Sequence, residues 1–368
     1  MKYFNEIFID KTKYGVKIQT GEYGKQGKHI IVDQGQNQIA GYTDREDGLF
    51  EEVPVIIFGD HTRVIKYIDQ PFFLGADGVK VLRSKDGNTD YKYLYYALKN
   101  VKIPNTGYNR HFKWLKESKI EYPDIKEQRK IVRILDKISD IIQNRKRELS
   151  QLDDLVRARF VELFGDVKIN QHNYKKIKIK QVLKSCEAGW SGNGTQRVKK
   201  DDEIAVLKVS AVTKGYFIPE ECKVLDDQEN IKKYVTPEKG DLLFSRANTR
   251  EMVGATAIVR EDYPTLILPD KLWKIRFNDS ANVFYMKYVL SSKSIRNEFS
   301  ASSTGTSGSM FNVSMDKFKE IEIPIAPIEL QNQFADFVQA IDKSKDSVQK
   351  ALDEAQLLFD SLMQQYFG

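Results

Sequence analysis

Four polar loops of the chain are rich in arginine, asparagine, glutamine or lysine, and all but the last of them contain glycine. They are residues 24–29 (GKQGKH), 105–110 (NTGYNR), 189–200 (GWSGNGTQRVKK) and 245–251 (SRANTRE). Arginine, asparagine and glutamine can form paired hydrogen bonds to base edges, and glycine lets a backbone approach a phosphate. The candidates for contacts with DNA are Lys25, Gln26, Lys28, His29, Arg63, Asn105, Tyr108, Arg110, Trp190, Asn193, Gln196, Arg197, Arg246, Asn248 and Arg250. The alternative is that glycine-rich polar loops are ordinary turns.

Sequence motifs for catalysis and metal binding are missing. The chain has no G-x-x-x-x-G-K-[ST] phosphate loop, no G-x-G-x-x-G turn and no Asn/Asp-Pro-Pro-aromatic tetrad of the kind that amino-methyltransferases use. Its four histidines occur singly, and its two cysteines, Cys186 and Cys222, do not have the spacing of metal ligands. The sequence therefore indicates a binding protein that has no catalytic residues and no metal site.

Composition sets the class of protein. The 368 residues suggest two domains, and a hydrophobic content of 41% is enough to bury cores. No apolar run approaches the roughly 18 residues that a membrane span needs. Glu6 and Asp10 stand where a signal peptide requires an apolar core, so we expect a cytoplasmic protein with no membrane partner.

The net charge of +6 is distributed unevenly along the chain. Residues 328–368 contain three lysines against seven aspartates and glutamates, so this segment is acidic and the positive excess lies in the globular segments before it. A duplex partner would favour those segments, because contacts with phosphates dominate affinity for nucleic acids. The excess is modest and does not by itself establish DNA binding.

An internal repeat organises the sequence. Residues 120–165 and 321–368 both open with Ile-Glu-x-Pro and both end with Phe-Gly. Gln128 precedes Gly165, and Gln331 precedes Gly368, by the same 37 positions. Proline before a helical pattern and glycine after it are typical of helix boundaries, so each copy is predicted to be one long helix of about 33 residues.

Each predicted helix has a heptad pattern that is typical of a coiled coil. The residues assigned to the seam are Ile131, Leu135, Ile138, Ile142, Leu149, Leu152, Val156, Leu163, Phe334, Val338, Ile341, Val348, Leu352, Ala355, Phe359 and Leu362, with Tyr366 at the last position. Arg145, Arg159 and Lys345 are the polar exceptions in the pattern. The two helices are each other's nearest partners, and they can pair in parallel or antiparallel orientation. The alternative is that each helix packs only on its own domain.

The segments before the helices are rich in short strands. The strand predictions are 53–60, 63–68, 71–76 and 78–83 in the first half, and 203–212, 239–246, 255–260, 264–269 and 271–277 in the second. A tyrosine-rich helix follows in each half, at 91–100 and 283–292. We therefore divide the chain into a globular domain (1–119), a helix (120–165), a second globular domain (166–320) and a second helix (321–368).

These repeats resemble the specificity subunits of type I restriction-modification systems. The resemblance rests on IEIPIAPIELQ (321–331) with its following helix, on the same motif and helix at 120–165, and on GDLLFSR (240–246). It covers essentially the whole chain. The first copy departs from the pattern, because YPDIKEQ (122–128) has one proline and two fewer residues. The second copy has Glu-Leu-Gln where Glu-Glu-Gln is usual. Both departures could alter contacts with a partner at the start of a helix.

The resemblance implies an α+β fold. Two mixed α/β target recognition domains would lie in tandem, separated by two long helices that form an antiparallel coiled coil with pseudo-two-fold symmetry. Each domain would read one half of a split site in double-stranded DNA, and the helices would fix the gap. Two methyltransferase subunits and the restriction/translocase subunits would be partners. They would bind S-adenosylmethionine, ATP and Mg²⁺, whereas this chain would bind no cofactor and would not be an enzyme.

Three other hypotheses remain open from the residues. The chain could be a coiled-coil scaffold that does not bind DNA. It could be an enzyme with a site in a cleft between its domains, although no acid/base or metal cluster supports this. It could also dimerise head-to-tail through its helices.

Overall fold

The structure, a computed structural model, describes residues 1–75, 77–301 and 311–368. The chain forms two units, of which one contains residues 1–147 and 348–368 and the other contains residues 148–347. Ala76, the last residue of the predicted strand 71–76, lies outside the described residues, as do residues 302–310. The four-segment division predicted from the sequence stays a prediction.

The first unit begins with short strands and helices and leads into a long helix. Its strands are β1 (Lys2–Tyr3), β2 (Phe8–Asp10), β3 (His29–Val32), β4 (Gly41–Thr43), β5 (Val55–Gly59), β6 (Ile65–Ile68), β7 (Phe72–Leu74), β8 (Val79–Ser84) and β9 (Lys119–Ile120). Its helices are α1 (Phe4–Ile7), α2 (Tyr91–Asn100) and α3 (Phe112–Lys116), and α4 (Ile125–Phe164) begins in this unit and ends in the second.

Two sheets sandwich the core of the first unit. An antiparallel sheet has the order β2-β8-β5-β6, and a smaller sheet has the order β4-β3-β7, in which β3 and β7 are parallel. Side chains alternate along β5 because successive residues of a strand point to opposite faces. Ile56 and Phe58 pack with α2, whereas Val55 and Ile57 pack with the smaller sheet. Both faces of β5 are therefore buried, which explains its unbroken apolar sequence.

The second unit has a longer run of strands. Its strands are β10 (Lys176–Lys178), β11 (Leu183–Ala188), β12 (Gly194–Thr195), β13 (Ala205–Leu207), β14 (Cys222–Leu225), β15 (Leu242–Ser245), β16 (Ala247–Asn248), β17 (Thr256–Ile258), β18 (Leu266–Ile267), β19 (Leu272–Phe277), β20 (Phe311–Asn312) and β21 (Glu322–Pro324). Its helices are α5 (Val283–Ser291), α6 (Lys293–Ala301) and α7 (Met315–Glu320), and α8 (Ile328–Phe367) begins in this unit and ends in the first.

The second unit repeats the strand order of the first. Its antiparallel sheet is β11-β19-β15-β17, and its second sheet, β12-β14-β13-β18, again contains one parallel pair, between β13 and β18. Leu242 and Phe244 of β15 pack on the helical side, and Leu243 packs on the other side. The prediction of one strand over 203–212 is wrong, because β13 ends at Leu207 and a 3-10 turn follows at Val209–Val212.

The two long helices have 40 residues each, which is about two turns more than expected. The helix α4 begins after Pro123, and Asp124 caps it by accepting a hydrogen bond from the Glu127 N–H (2.9 Å). It ends at Gly165, whose φ of +71° is a left-handed conformation that glycine adopts without strain. The helix α8 begins directly after Pro327 and ends before Gly368.

The helices α4 and α8 pair in antiparallel orientation within each unit. In the first unit, Ile131 and Leu135, near the start of α4, share a core with Phe359 and Met363, near the end of α8. In the second unit the order is reversed, because Phe164 at the end of α4 packs edge-to-face on Phe334 near the start of α8, with ring centroids 5.6 Å apart. The predicted fold class is thus confirmed, and parallel pairing is excluded.

The residues assigned to the seam lie on the inner sides of these helices. None of them is exposed: nine are buried and eight, including Tyr366, are half-buried. Two of the polar exceptions in the heptad pattern also have partners on the opposite helix. Arg159 lies over the ring of Phe337, and Lys345 is ion-paired with Asp153. The exceptions therefore contribute polar contacts to the pairing instead of interrupting it.

Candidate nucleic-acid interface

In the first unit a polar loop follows the central strand β5 and lies beside a second loop. The backbone carbonyl of Asp60 accepts a hydrogen bond from the His111 N–H (2.8 Å), and the Asp60 carboxylate accepts one from the Phe112 N–H (2.8 Å). Asp60 and His111 are both buried. These bonds hold the loop at 61–64, which contains the candidate Arg63, against the candidate loop at 105–110 that leads into α3.

Four of the candidate residues lie on these adjoining loops. Tyr108 is 86% exposed and stacks on His61, with ring centroids 4.6 Å apart and an angle of 8° between the planes. Asn105 and Arg110 are exposed on the same loop as Tyr108. Arg63 has a φ of +61°, and its guanidinium donates to the Ile103 carbonyl (3.4 Å). The surface thus offers an aromatic ring and two hydrogen-bonding side chains to a ligand.

The candidates at 25–29 form a separate group, which leads into the start of β3. Lys25 and Gln26 are exposed. Lys28 donates to the Glu46 carboxylate (2.8 Å), and the His29 ring lies within hydrogen-bonding distance of it (3.2 Å). The hydrogen bond to Lys28, followed by that to His29, lowers the pKa of Glu46. The positive charge of this loop is therefore partly compensated within the fold.

In the second unit the loop after β15 is placed in the same way. The Arg246 carbonyl accepts a hydrogen bond from the Val313 N–H (2.9 Å), as the Asp60 carbonyl does from His111 in the first unit. The Arg246 side chain donates to the Asp270 carbonyl (2.8 Å) and carboxylate (3.1 Å), and Ser191 also donates to that carboxylate. Asp270 thus joins the loops at 189–200 and 245–251. Arg246 is oriented by this contact, while Arg250 is exposed further along its loop.

The loop at 189–200 differs from the expectation. Trp190 is half-buried and packs on Val206, Leu225 and Ile267, so it supports the loop instead of being displayed by it. Asn193 and Gln196 are exposed. Arg197 makes a bidentate ion pair with Glu203, with distances of 2.6 and 2.7 Å.

The ion pair with Glu203 occupies the Arg197 guanidinium, which would otherwise be available to a ligand. The hydrogen bond from Arg197 is the main reason why the pKa of Glu203 falls to about 2. The guanidinium of Arg197 stays protonated, and its charge is compensated by the ionised carboxylate of Glu203. Asn248 lies on β16, which pairs with β20, so its backbone is held while its side chain stays half-exposed.

A partly buried ionic network supports the strand that carries the second loop. Asp241, which is fully buried just before β15, accepts from Arg276 (2.6 Å) and lies 3.3 Å from the Lys274 ammonium. Glu238 accepts from Lys274 and from Arg276 (2.7 Å), and these bonds lower its pKa to about 2. Arg276 and Lys274 belong to β19, so the network fixes the entry of β15 on its neighbouring strand.

Sequence reasoning missed Gln34 and Asp270, which organise the loops. Gln34 accepts from the His61 N–H (3.2 Å) and donates to the Asp77 carbonyl (2.9 Å), and its backbone carbonyl accepts from Thr62 (2.6 Å). The partners of both residues lie far away along the chain. A test for polar residues directly after short strands is the signal that could have found them.

Within residues 1–75, 77–301 and 311–368, no group of three or more His, Cys, Asp or Glu side chains could hold a metal ion. No helix in the same part of the chain is both long enough and apolar enough to cross a membrane. The polar loops just described carry exposed donors and acceptors in both units. Their donors and acceptors fit base edges and phosphates.

Comparison with known proteins decides the family. The profile of the family described as "Type I restriction modification DNA specificity domain" matches residues 4–153 and again residues 171–356. The chain belongs to this family. The two matches fall on the two halves of the internal repeat, so each half of the chain is one specificity domain.

Members of the family resemble the chain along most of its length. The chain is 23% identical to the type I restriction enzyme EcoR124I/EcoR124II specificity subunit of Escherichia coli, over 93% of this chain and 85% of that protein. It is also 23% identical to the EcoKI specificity subunit of Escherichia coli strain K12, over 67% of this chain and 55% of that protein. The crystal structure of the type I restriction-modification S subunit from M. genitalium has the same fold, with a TM-score of 0.61 at 16% identity, over all of this chain and 95% of that one.

Proposed function

We propose that this chain is the DNA sequence-recognition subunit of a type I restriction-modification complex and that it reads a bipartite site in double-stranded DNA. The observation that carries the proposal is the duplication of one arrangement. In each specificity domain a polar loop follows the central strand, and a backbone hydrogen bond holds it beside the loop that precedes a short helix. Each domain then reads one half of the site.

We further propose that the paired helices set the gap between the two halves. A helix of 40 residues is about 60 Å long, and one turn of B-DNA is about 34 Å. A stiff antiparallel pair of this length is suited to holding two reading domains at a fixed separation. The seam supports stiffness, because its apolar residues are buried or half-buried along both helices.

The partners in this proposal are two methyltransferase subunits and restriction/translocase subunits. Exposed apolar side chains outside the seam support docking on the helices, because such residues often mark protein interfaces. They include Leu357 (72% exposed) and Leu358 in the first unit, and Leu155 and Val161 in the second. Catalysis, with S-adenosylmethionine, ATP and Mg²⁺, belongs to those partners, and this chain works in the cytoplasm without a cofactor of its own.

The test is the modification pattern of host DNA. The chain is produced together with its methyltransferase, and single-molecule sequencing maps the methylated bases. We expect one motif with two specific parts separated by a gap of constant length. Assembly of the complex without sequence-specific methylation would support the coiled-coil scaffold instead.

A further inference from the structure

In two short helices of this chain, the backbone N–H of the capping residue is bound by a glutamine from one of the long helices. The N–H of a residue that caps a helix is commonly bound by a Glu or Gln three positions later, in a capping box. Here the capping residues are Asp90 for α2 and Asn282 for α5, and the third positions hold Tyr93 and Tyr285. Neither tyrosine can play the role of Glu or Gln in the box.

Gln128, in the first turn of α4, takes this role in the first unit. Its Oε1 accepts hydrogen bonds from the Asp90 N–H (3.0 Å) and the Thr89 hydroxyl (3.2 Å). Its Nε2 donates to the Pro123 carbonyl (2.9 Å), directly before the helix. The side chain is fully buried. One amide therefore ties the start of α2 to the start of α4.

Gln331 repeats the contact in the second unit. Its Oε1 accepts from the Asn282 N–H (2.8 Å), and its Nε2 donates to the Ala326 carbonyl (2.7 Å) and the Ser280 carbonyl (3.3 Å). It is also fully buried. Gln128 and Gln331 occupy the same place in the sequence repeat, and the same bonding is found in both copies.

The two tyrosines add a second hydrogen bond at each joint, which is the place where a long helix leaves its specificity domain. The Tyr93 hydroxyl donates to the Glu121 carbonyl (2.8 Å), and the Tyr285 hydroxyl donates to the Pro324 carbonyl (2.8 Å). Both carbonyls lie in the segments that lead into the long helices. Each joint between a specificity domain and the helix that leaves it is thus defined by directional bonds from buried groups, as well as by apolar packing.

We propose that Gln128 and Gln331 are positioning residues that fix the direction in which each long helix leaves its specificity domain, and that they thereby make the complex selective for one gap length. The inference rests on the proposed function. A buried hydrogen bond fixes an angle more tightly than apolar contact does, because its strength falls steeply with poor geometry. Without these bonds the domain can pivot at the joint, and half-sites at other separations become acceptable.

The experiment compares Gln128→Met and Gln331→Met with the wild-type chain, each in complex with its methyltransferase. Methionine keeps the length of glutamine and loses both hydrogen-bonding groups. The matched controls are Gln143→Met and Gln333→Met, which change exposed glutamines on the same two helices. The readout is the ratio of methylation rates on duplexes with the native gap and with a gap longer by one base pair.

We expect each joint variant to lower this ratio by roughly fivefold, while the controls keep it. A loss of folded protein would lower both rates equally and leave the ratio unchanged, so the ratio reports positioning and not stability. If the methionine variants fail to fold, Tyr93→Phe and Tyr285→Phe remove only the second hydrogen bond at each joint, and we expect them to lower the ratio less. If the methionine variants methylate more slowly but keep the wild-type ratio of methylation rates, the inference about Gln128 and Gln331 is wrong and the proposed function stands. If the wild-type complex itself shows no preference for one gap, the proposed function is contradicted as well.

Discussion

Lys345 of α8 forms an ion pair with Asp153 of α4, inside the second unit. The lysine is one of the polar residues in the heptad pattern, and its side chain is 20% exposed, whereas the aspartate is 55% exposed. The pair joins helices that run in opposite directions, so it reports their register directly. The lysine does not disrupt the seam, because its charge is paired with an aspartate of the opposite helix.

Reversing these charges tests the register. We expect Asp153→Lys and Lys345→Asp each to lower the free energy of unfolding by about 1 kcal/mol, the upper range for partly exposed pairs. The double variant restores the attraction and should recover most of the loss. Urea unfolding of the four proteins gives the coupling energy. A coupling energy near zero would show that the two side chains do not interact in solution.

The apolar seam can be tested with a pair of leucines on α8. Leu352 is 8% exposed and Leu357 is 72% exposed, and both lie in the first unit. Leu352→Asp buries an unpaired charge and should cost several kcal/mol of unfolding free energy. Leu357→Asp, the matched control, should change the stability of the isolated chain by less than about 0.5 kcal/mol. Similar losses in the two variants would contradict the assigned seam.

Much of this fold could be predicted from the sequence. Long helices with matched boundaries follow from Pro123, Pro327, Gly165 and Gly368, and the alternation of apolar residues marks β5 and β15. The predicted helix at 91–100 coincides with α2. These features are local, so a single stretch of sequence contains the signal.

Features that depend on distant residues were harder to predict. The short strands β3 and β4 were missed because they are stabilised by pairing with one another and with β7. Trp190 was expected to be exposed, yet its surroundings come from β13, β14 and β18. The pairing of Arg197 with Glu203 and the role of Asp270 also require loops to be brought together by the fold. Which loop residues contact DNA stays a prediction.

Arg110 and Arg250 provide the test of one half-site for each domain. Both are exposed on the adjoining loops, one in each unit. We expect Arg110→Ala to relax the modified motif in one half and Arg250→Ala to relax it in the other, each at a cost of about 1–3 kcal/mol in affinity. Methylome sequencing of each variant is the measurement.

Arg197→Ala is the control for this experiment, because the Arg197 guanidinium is already bound by Glu203. It should leave both halves of the motif nearly unchanged. Relaxation of both halves by a single one of the two test variants would argue against separate reading by the two domains.

Acid should weaken the second unit through Glu238. The bonds from Lys274 and Arg276 hold its pKa at about 2, below the ordinary value of 4.5. A lowered carboxyl pKa stabilises the fold above pH 4.5, and this stabilisation is lost as the pH falls from 4.5 toward 2. Glu238→Gln should therefore reduce the pH dependence of the urea midpoint in this range. Glu229→Gln, at an exposed position, should preserve it, and equal slopes in all three proteins would refute the role of Glu238.

The most direct test of the account is a change in helix length. One heptad is inserted between Asp153 and Asp154 and another between Ser344 and Lys345, so that Asp153 and Lys345 stay on the same side of both insertions. Seven residues lengthen a helix by roughly 10 Å, which corresponds to about 3 base pairs at 3.4 Å each. Methylation mapping should reveal the same two half-sites separated by a gap about 3 base pairs longer. An unchanged gap in an active, assembled complex would contradict the claim that the paired helices set the spacing.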